Sequence, residues 1–181
     1  MTKSELLGRM RTNVNNCKLV HVSMFLLADD TAFKRYVFWS QLFFSSQPNL
    51  PQQFAHEEIA PLLLDKAFLP IALPELRKAV YRDAVLGSYE VLKEYCKSTD
   101  QDHLLKTQPC VTFLRVLRNC VAHKCVFTFK PWEKTFFPVT WSGKTIDPSL
   151  EGKTLDEDFM SFEELILLLN DVKRFSEEKL N

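Results

Sequence analysis

The chain has 181 residues and a mass of 21.1 kDa, enough for one domain of ordinary size and short for two. Its 46% hydrophobic and 25% charged residues exclude a disordered chain, and a chain this long folds without metal or disulfide staples. Lys plus Arg and Asp plus Glu number 23 each, so the net charge is zero, which argues against a protein that holds nucleic acid by bulk attraction.

Taken in chain order, the pattern is mainly helical. The apolar positions Val14, Cys17, Leu19 and Val20, then 23–27, predict a helix over Thr12–Ala28. Asp30 is placed to cap a second helix, Thr31–Phe44, with Phe33, Val37, Phe38, Leu42 and Phe43 at helical spacing. Ser45–Phe54 holds two prolines and reads as a loop, and Ala55–Phe68 as a shorter, proline-interrupted helical piece. Pro74 suits a first-turn position, ahead of a long helix over Glu75–Lys97. A loop at Ser98–Gln108 leads to a helix over about Pro109–His123.

The character then changes. The run from Phe136 to Trp141, the Ser142-Gly143 turn and Thr145-Ile146 predict two short strands. Ser161 and Glu164 form an S-x-x-E capping box ahead of an amphipathic helix with Leu165, Ile166, Leu168, Leu169 and Val172. Four glycines against fifteen phenylalanines point to few flexible turns and a core filled with rings. No apolar run reaches the roughly 18 residues of a membrane span, and the N-terminus lacks the hydrophobic region of a signal peptide. The expected location is the cytosol, with no membrane partner.

Five cysteines without a C-x-x-C pair fit reduced thiols better than a disulfide framework or zinc knuckle. Cys120, His123 and Cys125 lie close together but have no recognised ligand spacing, so no metal is expected. Charge is uneven along the chain: residues 74–124 carry nine positive and six negative side chains, and 144–181 five and ten. An anionic ligand therefore belongs with the central stretch.

One segment there carries chemistry, Val111–His123. On a helical wheel with Phe113 at zero, Leu117, Val121, Leu114 and Cys120 fall on one apolar arc. Arg118, Ala122, Arg115, Asn119 and His123 follow on the opposite arc, from roughly 140° to 280°. The small Ala122 at its centre allows another surface to come close, and Asn119 and His123, four apart, are within mutual reach. A guanidinium suits a phosphate, and an imidazole accepts or donates a proton near neutrality. With an amide to position a hydroxyl, these groups suffice for metal-independent RNA cleavage by attack of the ribose 2′-hydroxyl. The same residues also suit a merely solvated helix end.

Arg118-Asn119-Cys120-Val121-Ala122-His123 resembles the R-N-x-x-x-H signature of the HEPN superfamily (higher eukaryotes and prokaryotes nucleotide-binding). Members are small helical bundles, many of them ribonucleases of toxin–antitoxin, abortive-infection and CRISPR-associated systems. The likeness runs over about residues 74–180, because the Thr140–Lys144 hairpin and the closing helix resemble a bacterial and plasmid-borne branch. With no linker or repeat, the chain reads as a single mainly-α domain over residues 1–181, and the resemblance makes it a HEPN-like up-and-down helical bundle with a small β-hairpin before the last helix. The resemblance further implies a homodimer whose facing motif helices form a composite cleft, with RNA as partner, a possible antitoxin protein, and no cofactor. By family role Arg118 binds the scissile phosphate, His123 is general acid or base, and Asn119 orients His123 or substrate. Arg115 and Lys124 extend this as outer phosphate contacts. Family members often add a polar residue from the preceding long helix, for which Arg82, Asp83 and Glu90 are candidates. A non-catalytic HEPN module that holds a partner protein or nucleotide is the alternative.

The remaining residues have structural readings. His21 reads as a core or boundary histidine, and His56 as part of a helix start. His103 reads as solvated, and Trp39 with Phe38–Phe44 as core or subunit interface. Trp132 and Trp141 are expected to pack the hairpin against the bundle. Asp156–Asp158 is expected to form a solvated turn, and Cys120 a buried, inert thiol.

Overall fold

The Thr2 hydroxyl accepts from the Glu5 N–H at 3.2 Å, and the Glu5 carboxylate accepts from the Thr2 N–H at 2.7 Å. This reciprocal cap starts helix α1, Lys3–Ala28, well ahead of the expected Thr12. The computed structural model describes residues 1–28, 31 and 67–181. Apart from Thr31 and the turn at Ala67 and Phe68, three expected segments lie outside the described residues: Thr31–Phe44 with its Asp30 cap, Ser45–Phe54 and Ala55–Phe68. Trp39, the Phe38–Phe44 run and His56 lie outside them too.

Helix α2 spans Leu69–Ser98 and so begins before the expected Glu75. The Phe68 carbonyl accepts from Ile71 and Ala72 at 3.1 and 2.9 Å, which closes the first turn one turn upstream. Pro70 occupies that turn, where its missing N–H is no loss, and Pro74 lies inside the helix rather than at its start. The expected loop at Ser98–Gln108 contains a single helical turn, α3 (Asp102–Leu105). Helix α4 is Pro109–Ala122 and α5 is Phe162–Lys179. Strands β1 (Val139–Trp141) and β2 (Lys144–Ile146) pair antiparallel between them, so the described fold is mainly helical with one small sheet. Phe136 and Phe137 stay outside the strands; Glu133–Phe136 is a 3-10 helix instead.

The backbone divides into two compact units, Leu19–Ala79 and Met1–Lys18 with Val80–Asn181. In the first of these, half-buried His21 meets Phe25 edge to face at 4.8 Å, which agrees with a boundary histidine. The larger unit holds the core. Leu6, Met10, Val14 and Cys17 of α1 meet Val85, Leu92, Tyr95 and Cys96 of α2 in one buried cluster with α4 and α5. Helices α1 and α2 approach closely at Gly87, where an added Cβ would stand 3.2 Å from Asn13 Nδ2. Rings fill the other end: Phe113 lies 5.7 Å from Trp141 and 6.5 Å from Phe159, and Phe127 lies 5.4 Å from Phe159.

The hairpin turns through Ser142 (φ 47°) and Gly143 (φ 79°), the left-handed pair that a two-residue turn requires. Thr140 opposes Thr145, which puts Val139, Trp141 and Ile146 on the buried face. Trp141 seals the sheet onto α5 by donating its indole N–H to Asp171 at 3.0 Å. The expected capping box is present, with the Ser161 hydroxyl accepting from the Glu164 N–H at 3.2 Å and the Glu164 carboxylate from the Ser161 N–H at 2.8 Å. Asp156 Oδ1 accepts from the Phe159 N–H at 2.9 Å, a closed turn as expected of Asp156–Asp158. Among the described residues no helix is long and apolar enough to cross a membrane.

Candidate functional site

Helix α4 is built as its spacing requires. Phe113, Leu114, Leu117, Cys120 and Val121 are all buried, while Arg115, Arg118 and Asn119 are half-buried and Ala122 and His123 are exposed. Burying each large apolar side chain contributes about 1.5–3 kcal/mol, which fixes the rotation of the helix and leaves the polar arc clear of the core.

His123 closes the helix. Its N–H reaches the Asn119 and Cys120 carbonyls at 3.2 and 3.0 Å. Lys124 and Cys125 then take φ near 60°, two consecutive left-handed residues without glycine. Each costs about 1–3 kcal/mol and persists only where its surroundings enforce it. Here the Cys125 carbonyl accepts from Leu155 at 2.7 Å, and Phe127 exchanges bonds with Lys153 and Gly152 at 2.9 and 2.8 Å. The backbone after α4 is thus clamped, and the His123 and Lys124 side chains stand at an exposed helix end.

Arg118 is not free. Its Nε donates to Glu90 Oε1 of α2 at 2.7 Å, and a terminal nitrogen pairs with the same oxygen. Its other terminal nitrogen donates to Asn119 Oδ1 at 3.2 Å. Asn119 Nδ2 donates in turn to Glu133, whose other oxygen accepts from the Lys130 N–H at 2.8 Å. Glu90, Arg118, Asn119 and Glu133 are therefore one continuous chain of polar contacts.

Of the three candidates from the long helix, Glu90 reaches Arg118, while Arg82 and Asp83 stay exposed. Asn119 makes its side-chain bonds to Arg118 and Glu133, so the expected carboxamide–imidazole contact with His123 is replaced by a backbone one. Glu133, 3% exposed, was invisible to helical spacing because it lies on a separate 3-10 turn. A lone glutamate among Pro131, Trp132 and Phe136 was its only sequence signal.

Arg115 lies over the rings of Trp132 and Phe136, its guanidinium carbon 5.4 and 5.0 Å from their centroids. Trp132 is therefore not a hairpin anchor as expected; it is 49% exposed and serves as a face for Arg115. Glu90 also lines an open groove of about 600 Å³ between α1 and α2. Glu5, Glu90 and Glu94 line it with one arginine, Arg9, so its field disfavours phosphate.

Burial pushes the Cys120 thiol up to about 12, the inert state expected of it. Cys120 is buried and His123 exposed, and among the described residues no cluster of His, Cys, Asp or Glu is placed to hold a metal ion. Compared with family models, curated proteins and solved structures, the chain matches none.

Proposed function

We propose that this chain is a metal-independent ribonuclease of the HEPN kind, acting through a cleft shared by two copies. One observation carries the reading: Arg115, Arg118 and His123 lie on the outward arc of α4 beside the small, exposed Ala122, with the opposite arc buried. The likeness of Arg118–His123 to the R-N-x-x-x-H signature supports it. Arg118 and His123 are separated by about 140° around the helix axis and about 7.5 Å along it, a split that a facing second copy closes.

In this reading the ribose 2′-oxygen gives up its proton to a base and attacks the adjacent phosphorus. The bond from phosphorus to the 5′-oxygen breaks, that oxygen takes a proton, and a 2′,3′-cyclic phosphate remains. His123 from each copy supplies base and acid, and Arg118 meets the phosphate charge. Lys124 and Arg115 are outer phosphate contacts. Such an activity suits a toxin or phage-defence effector, with an antitoxin protein as its partner.

The test is cleavage of labelled single-stranded RNA by purified protein in the presence of chelator. The parent is expected to cut, and His123→Ala and Arg118→Ala to lose roughly 10²–10⁴-fold in rate while keeping the parent circular dichroism spectrum. Intact RNA with the parent overturns the reading. One observation favours a second reading, a non-catalytic module that captures a partner: Arg118 and Asn119 already spend their side-chain bonds on Glu90 and Glu133. There, the same substitutions weaken partner capture and no RNA product forms.

A further inference from the structure

We propose that Trp132, Phe136 and Arg115 form a subsite that stacks an unpaired base of a single RNA strand beside Arg118. The inference deepens the ribonuclease reading and rests on it. The 3-10 helix Glu133–Phe136 sorts its side chains by direction. Glu133 turns inward to Asn119, while Trp132 and Phe136 remain 49% and 46% exposed, edge to face at 6.1 Å. Two large rings standing half out of the core leave about half of their apolar area in water, where burying it would have added to folding.

Arg115 supplies the second, independent observation. Its guanidinium is held against both rings, its Nε is buried, and that nitrogen has no hydrogen-bond partner among the described residues. Unlike Arg118, it pairs with no carboxylate there. The side chain as a whole is only half-buried, so its charge, unlike the enclosed Nε, is open to an anion. The matching ligand brings an anion for the guanidinium and a flat π-face for the rings, and a nucleotide has both.

The position decides which nucleotide source fits. Arg115 and Arg118 are three residues apart, adjacent on one helix face. A base on the platform is therefore covalently next to a phosphate at Arg118, as in a strand. The groove that Glu90 also lines is acidic, so its field disfavours a polyanion there. A duplex does not fit, because its bases already stack on one another and show only their edges.

The test uses the His123→Ala chain, expected to bind without cutting, and an unstructured RNA oligonucleotide of uridine and adenosine. Trp132→Leu and Phe136→Leu, made in that background, are expected each to weaken binding by roughly 5- to 150-fold, the range that base–aromatic stacking supports. Binding is expected to quench tryptophan emission, and the quench to be largely lost in Trp132→Leu. The same sequence annealed to its complement is expected to bind more weakly than the single strand.

Single-strand affinity unchanged in the double Leu variant overturns the platform while RNA cleavage by the parent still stands. Equal affinity for duplex, or for a free mononucleotide, overturns it as well. A strand captured through Trp132 that the parent never cuts upholds the platform and overturns the ribonuclease reading.

Discussion

Across fourteen residues, the side-chain amide of Asn119 donates to the buried carboxylate of Glu133. Glu133 only accepts when ionised and Arg118 only donates, so the carboxamide between them has one orientation: nitrogen toward Glu133, oxygen toward Arg118. The carboxylate also takes the Lys130 N–H. It therefore ties the 3-10 turn to α4 and fixes the side of Arg118 that faces away from Glu90. The position of the arginine is set by two glutamates that helical spacing does not connect with it.

Removing that carboxylate leaves two donors without their acceptor. Glu133→Ala is expected to destabilise the larger unit by about 2–3 kcal/mol, read as a shift in urea midpoint. Asn119→Ala breaks the same contact, so the double variant is expected to lose clearly less than the two single losses added. Additive losses would show that the pair is a coincidence of packing.

Local signals explain what was legible. The α4 wheel sorted Phe113, Leu117 and Val121 from Arg115, Arg118 and His123 because burial of large apolar side chains dominates the orientation of a helix. Ser142-Gly143 and Ser161-x-x-Glu164 were readable because backbone φ and capping bonds act within four residues. Thr2-x-x-Glu5 carries the same box, and Leu6 and Met10 extend the Val14–Cys17 stripe upstream at helical spacing, so the early start of α1 is written in local signals as well. The Pro74 start failed since Pro70 offers an equally tolerated first turn. The partners of Arg118, Asn119 and Arg115 come from α2 and the 131–136 turn, and contacts of that range leave no periodic trace.

Glu90 holds the guanidinium that the proposed chemistry needs for phosphate. The pair is about a third to a half exposed, so Glu90→Gln is expected to change stability by less than about 1 kcal/mol. Removing the competing negative charge is expected to raise the affinity of His123→Ala protein for single-stranded RNA several-fold at low salt, measured by fluorescence anisotropy. A fall in affinity instead would make Glu90 a residue that aims Arg118 rather than one that competes for it.

The box at α5 sets an acid limit. The Glu164 carboxyl is held below its ordinary range, first by the Ser161 N–H and then by Lys144. A carboxyl whose pKa is lower folded than unfolded adds stability above the ordinary carboxylate range, and that stability is lost as pH falls through the folded value. Ser161→Ala is expected to cost about 0.5–2 kcal/mol near neutrality. Glu164→Gln is expected to show a shallower fall in urea midpoint below roughly pH 4 than the parent. Parallel acid profiles would mean that the carboxylate gains nothing from its cap.

The thiols set the alkaline limit, with the opposite sign. Burial pushes Cys17 and Cys96 up to about 11 and Cys120 to about 12, from an ordinary 9.0. Unfolding returns each to water, where it ionises near its ordinary value, so the unfolded chain releases protons that the folded one keeps. Stability contributed this way is present below the ordinary thiol value and drains away as pH rises toward the folded values. Cys120→Ala is expected to cost on the order of 1 kcal/mol at neutral pH through lost packing, yet to lose less than the parent as pH climbs. Urea midpoints at neutral and alkaline pH compare the two directly. The same burial makes an independent readout: iodoacetamide applied to native protein at mildly alkaline pH is expected to label half-buried Cys125 and Cys110 before Cys17, Cys96 and Cys120. Early labelling of Cys120 would place its sulfur in solvent, and with it the face of α4 that Leu117 and Val121 share.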